Sequence, residues 1–151
     1  MFRPVEGVDR VQQRINSGAN WFNWIAGLTL INSLAAHSGS NFRFIIGLGT
    51  TQLVDAIGST NLAPIALAID VLVIVTCAMV AHYARESKGI YVGGMIVYGL
   101  DGLFLVLVGD LVGIGFHAFV LFNLFKGVRA FGELTKREHA ATPATTAIVN
   151  A

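Results

Sequence analysis

Charge is nearly absent from the middle of this chain. Between residues 19 and 131 lie four apolar stretches of membrane-spanning length, at about 19–36, 62–82, 90–108 and 112–130. Four crossings of roughly 20 residues each need about 80 residues. In a chain of 151 residues that leaves short loops and two modest tails. With 54% hydrophobic and 13% charged residues, and a mean hydropathy of +0.67, the composition is too apolar for an ordinary soluble domain. The expectation is an all-α, four-helix transmembrane bundle, one integral membrane domain over 1–138, followed by a disordered cytoplasmic tail over 139–151. The polar first 17 residues hold Arg3, Glu6, Asp9, Arg10 and Arg14, which does not read as a cleavable signal peptide.

Local signals place the spans. Thr60 or Asn61 is suited to cap the second, and Pro64 falls in its first turn, where proline costs little. The connection 109–111 is so short that the third and fourth spans form an antiparallel hairpin, with Asp110 placed to cap the fourth. The segment 41–59 is only half apolar. Phe42, Ile45, Ile46, Leu53 and Ile57 follow helical spacing on one face, and Arg43, Gly47, Thr50, Thr51 and Asp55 fall on the other. That pattern suits an amphipathic interfacial helix between spans 1 and 2; a re-entrant loop is the alternative.

Orientation follows from the basic residues. With the N-terminus in the cytoplasm, nine (Arg3, Arg10, Arg14, Arg85, Lys88, Lys126, Arg129, Lys136 and Arg137) lie inside and only Arg43 lies outside. Such a bias is the positive-inside pattern, and a fifth crossing at 41–59 would spoil it. Both termini are expected in the cytoplasm, and Trp21, Trp24, Tyr83 and Tyr91 fall at the expected cytoplasmic boundary as an aromatic belt.

Acidic residues divide largely by type. Glu6, Glu86, Glu133 and Glu138 lie in cytoplasmic segments, whereas four of the five Asp residues, Asp55, Asp70, Asp101 and Asp110, lie in or on the outer half. Asp70 and Asp101 sit at matched depth, about 12 Å below the outer boundary at 1.5 Å per residue. An ionised Asp at that depth costs about 2.5–3.5 kcal/mol on insertion scales. Helical phase turns both inward. Asp70 shares a face with Ala63, Ala66, Cys77 and Ala81; Asp101 with Gly94, Tyr98, Gly102 and Gly109; and His117 with Gly113 and Gly127. Small residues on one stripe mark the contact side of a membrane helix.

Three readings of the two acids remain open. They are protonated structural donors, or they share a proton or bind a cation, or Arg43 is their counter-ion. His117 is a candidate third ligand or proton partner, and His37, Arg43, Asp55 and Asp110 are outer-face contributors. The function class favoured is proton or cation binding or transport, with 41–59 as a lid. An accessory or structural subunit packed on a larger membrane protein is the alternative, with Asn20, Asn23 and Gly27 as a contact patch. An intramembrane enzyme lacks support, since Ser59 has no hydrolase motif and a Ser59–His117 dyad is one of several that can be drawn. No cofactor is expected beyond a bound cation of unknown identity. The lone Cys77 makes no internal disulfide, and nothing suggests nucleic acid. The expected partners are the lipid bilayer and a second copy or a larger membrane protein.

The stretch Asn20-Trp21-Phe22-Asn23-Trp24-Ile25-Ala26-Gly27-Leu28-Thr29-Leu30-Ile31-Asn32-Ser33, with Ile46-Gly47-Leu48-Gly49-Thr50-Thr51-Gln52-Leu53-Val54-Asp55, resembles a family of small uncharacterised bacterial multi-pass membrane proteins. His117-Ala118-Phe119 through Lys126-Gly127 is similar in character. The resemblance implies a bacterial inner (plasma) membrane location and assigns no activity.

Overall fold

A computed structural model describes residues 6–38 and 63–149. The segment 41–59, with Arg43 and Asp55, lies outside them, as do Thr60 and Asn61. Among the described residues the fold is all-helical, with four helices: α1 (Glu6–His37), α2 (Ala63–Tyr83), α3 (Lys88–Val108) and α4 (Leu111–Val149). α1 packs most extensively on α4 and α2, α4 packs on α3, and α2 touches α3 more lightly.

The helix boundaries have local causes. Ser87 caps α3, its hydroxyl accepting from the Ile90 amide. Gly109 ends α3 in the left-handed region at φ 73°, and the amides of Gly109 and Asp110 donate to the carbonyls of Val106 and Leu105. Asp110 then starts α4, its carboxylate accepting from the Gly113 amide at 2.9 Å. This is the tight hairpin with an Asp cap that the sequence implies. α4 continues through the segment expected as a tail, its backbone helical to Val149. The alanines of that segment favour helix.

Two helices carry stretches long and apolar enough to cross a membrane, Lys88–Leu107 and Leu111–Arg137. Only 28% of each stretch is buried inside the protein, so neither resembles the enclosed core helix of a soluble domain. α2 contributes a shorter apolar run, Leu67–Tyr83. Its outward side is Leu67, Val71, Leu72, Val75 and Met79, while its buried positions include Asp70 and Ala81. The polarity is inverted relative to a soluble amphipathic helix, with large apolar groups facing out and small or polar groups facing in.

The end of the bundle where α3 begins closes around Tyr91. Its ring is fully buried and meets Phe22 and Phe131 edge-on at centroid distances of 5.8 and 5.6 Å. Its hydroxyl donates to the Leu124 carbonyl at 3.0 Å. Gly18 on α1 and Gly127 on α4 admit it, because a β-carbon at either position would collide with the hydroxyl. Tyr91 is therefore a core residue rather than part of an aromatic belt. Trp24 and Tyr83 are exposed, and Trp21 packs edge-on against Phe119. The sequence reading erred at Tyr91 because proximity to a helix end says nothing about which face a ring occupies.

Candidate functional site

Toward its C-terminal end, α1 carries a stripe that changes character. Val11, Ile15, Ala19, Phe22 and Ile25 are buried and apolar; Thr29, Asn32 and Ser33 continue the same face and are buried and polar. Each of the other helices adds a buried polar group at this end: Asp70 from α2, Tyr98 and Asp101 from α3, and His117 from α4.

Register brings them to one layer. α1 and α3 run parallel, with Gly18 beside the Tyr91 hydroxyl and Phe22 beside Gly94, where a β-carbon would lie 2.9 Å from the Phe22 ring. Seven residues further along both helices, close to two full turns and about 10 Å of rise, stand Thr29 and Asp101. α1 and α2 run antiparallel, with Asn20 accepting from Arg85 at one end and Ser33 donating to Asp70 at the other. Asp70 and Ser33 thus lie one turn beyond the level of Thr29 and Asp101.

The two acids meet different partners. Asp70 is fully buried, and its Oδ2 accepts from the Ser33 hydroxyl. Asp101 Oδ2 lies 3.0 Å from His117 Nε2. The other imidazole nitrogen, Nδ1, lies 2.9 Å from the Gly113 carbonyl. A carbonyl has no proton to give, so Nδ1 carries one and donates it. The Nε2–Oδ2 contact then holds a second proton, either on the imidazole facing a carboxylate or on the carboxyl facing a neutral imidazole. Both arrangements are neutral as a pair, which suits burial; loss of the bridging proton leaves an unbalanced negative charge.

Packing fixes this ring. Tyr98 stacks on it at 4.3 Å between centroids and 9° between planes. Gly102 forms the wall beside it, where a β-carbon would lie 3.0 Å from His117 Cβ. Around the pair, Thr29 Oγ1, the Tyr98 hydroxyl and Asp70 Oδ1 are buried with no hydrogen-bond partner among the described residues. Each such atom costs about 1–3 kcal/mol if it stays unsatisfied.

Of the other expected contributors, Asp110 lies at the start of α4 as its cap, and His37 is the last residue of α1. Arg43 and Asp55 lie outside the described residues. Among the described residues no group of three or more His, Cys, Asp or Glu side chains is placed to hold a metal ion.

Sequence reasoning passed over Ser33, Thr29 and the stacking role of Tyr98. The signal for the first two was present: Thr29 and Ser33 are four residues apart, on the face that Phe22 and Ile25 bury. Comparison with family models, with curated proteins and with solved structures gives no match to this chain.

Proposed function

We propose that this chain is a four-span integral membrane protein, both termini cytoplasmic, that binds and exchanges a proton at the Asp101–His117 pair in the outer half of its bundle. The observation that carries this reading is the engagement of both imidazole nitrogens, one by a carbonyl that can only accept and the other by a buried carboxyl. That arrangement defines one exchangeable proton, between Nε2 and Oδ2. Asp70, with Ser33, is a second acid one turn outward. The buried Thr29, Tyr98 and Asp70 oxygens offer acceptors for a proton moving between the two acids. The inverted polarity of α2 and the two long apolar stretches support the bilayer as solvent. The bacterial inner membrane is the location that the family resemblance suggests.

Reconstitution of the full chain into liposomes loaded with a pH-sensitive dye tests this. Under an imposed potential, proton entry above that of protein-free liposomes is expected. It is lost in Asp101→Asn and His117→Gln and reduced in Asp70→Asn. Wild-type vesicles that behave like empty ones, or variants equal to wild type, refute it and leave the pair a structural contact, as in an accessory subunit.

A further inference from the structure

The start of α1 and the part of α4 around 133–137, remote from the Asp101–His117 pair, enclose a second polar feature. Between them lies an open cleft of about 460 Å³ lined by Gly7, Arg10, Val11, Arg14, Glu133 and Arg137. Three of its six lining residues are arginines and one is acidic. The acid is engaged, since Arg14 Nη1 lies 2.8 Å from Glu133 Oε2. Among the described side chains this is the one ion pair of the cleft. Arg10 and Arg137 enter from different helices with their charge uncompensated by it, so the lining carries a surplus of two positive charges.

The Arg137 guanidinium lies against the α1 backbone where a β-carbon on Gly7 would stand. The cleft is an open cationic recess whose three arginines are exposed to an incoming ligand. Guanidinium groups offer paired donors that match the oxygens of a phosphate. A phosphate monoester carries a charge of about −1.5 to −2 at neutral pH, which matches the surplus; a diester would leave one charge over. Position adds to this, because the apolar stretch of α4 ends at Arg137.

We infer that the cleft between α1 and α4 binds a phosphate-bearing anion, held by Arg10 and Arg137 with Arg14 positioned by Glu133. Two sources share that chemistry, a phospholipid headgroup of the adjoining leaflet and a soluble phosphate. The headgroup source rests on the membrane reading above; the phosphate chemistry does not.

The test uses the full chain in a neutral detergent, titrated separately with inorganic phosphate and with detergent-solubilised phosphatidic acid. Saturable binding to either probe is expected, and the probe that saturates names the source. Loss of two donors to a charged ligand predicts that Arg10→Gln/Arg137→Gln weakens binding by roughly tenfold or more. Arg129→Gln/Lys136→Gln removes equal charge from exposed positions outside the lining, and its affinity stays within roughly twofold. Should the first double variant not fold, as judged by helicity and gel filtration, the single variants give the same comparison. Absence of saturation with both probes, or equal weakening in the two double variants, overturns the proposal. Asp101→Asn leaves this binding unchanged, so failure of the proton reading and failure of this one are separable.

Discussion

The two halves of the bundle use one packing device for opposite ends. At one end, Gly18 and Gly127 admit the Tyr91 ring, and its hydroxyl finds the Leu124 carbonyl. At the other, Gly102 walls the His117 ring, which stacks on Tyr98. Tyr91 and Tyr98 stand seven residues apart on the same face of α3 and are both buried. Among the described residues only the first has its hydroxyl satisfied. Glycine thus creates room for a ring in both places, but the Tyr91 end uses it for closure and the His117 end for a layer of buried polar groups. Burial alone does not separate a structural aromatic from one at a candidate site; the hydrogen-bond balance around it does.

The strongest test of this contrast breaks the Asp101–His117 pair. Asp101→Leu leaves His117 facing an apolar group and is expected to destabilise the fold by about 3–5 kcal/mol, the usual cost of removing one partner of a buried pair. Asp101→Leu combined with His117→Phe replaces both partners and keeps a ring against Tyr98. That double variant is expected to recover most or all of the loss while abolishing the proton response. Denaturation in detergent reads the stability and dye-loaded vesicles read the response. A double variant as unstable as the single one would make the pair a structural necessity.

The end around Tyr91 is expected to answer to volume instead. Gly127→Val drives a branched side chain into the Tyr91 hydroxyl and is expected to cost about 1–3 kcal/mol or more, as overpacking does. Gly102→Ala has its clash with a fixed ring as well, and should fall in the lower part of that range. Thermal unfolding of both variants checks the order.

The turn between α3 and α4 comes next. Gly109→Ala places a β-carbon in the left-handed region and is expected to cost about 1–2 kcal/mol. Open space surrounds Gly109, so the whole effect is conformational. A neutral result would show that the hairpin relaxes.

The smallest effects sharpen the comparison most. Tyr91→Phe removes one hydrogen bond inside the bundle, worth about 0.6 kcal/mol on average in membrane proteins and at most about 1.7. Tyr98→Phe removes a hydroxyl without a hydrogen-bond partner among the described residues and is expected to be neutral or mildly stabilising. If Tyr98→Phe proves the more costly, its hydroxyl has a partner in the working protein, and the proton layer extends to it.

Much of this was legible in the chain. A stripe of small residues flanking Asp70, Asp101 and His117 marks inward faces, because large apolar groups have no reason to turn away from lipid. Gly109 and Asp110 specify a hairpin, since one tolerates a left-handed backbone and the other satisfies free helix amides. The wrong inference concerned Tyr91, whose sequence position fits an interface anchor as well as it fits a core ring. What separates the two is the pair of glycines on α1 and α4 that face it, and no local pattern in α3 reports on those.

The sequence by itself determined that helices form, where several of them start and stop, and which of their faces carry polar groups, because these depend on neighbours within about one turn. Tertiary structure alone decided the pairings. It joined Asp101 to His117 and Asp70 to Ser33, where matched depth had suggested that the two acids meet each other. It set Thr29 level with Asp101 and brought Arg10 and Arg137 to one cleft across more than a hundred residues of chain. Such contacts depend on the register between helices, which is fixed by how rings fit against glycines on other helices and is written in no single segment.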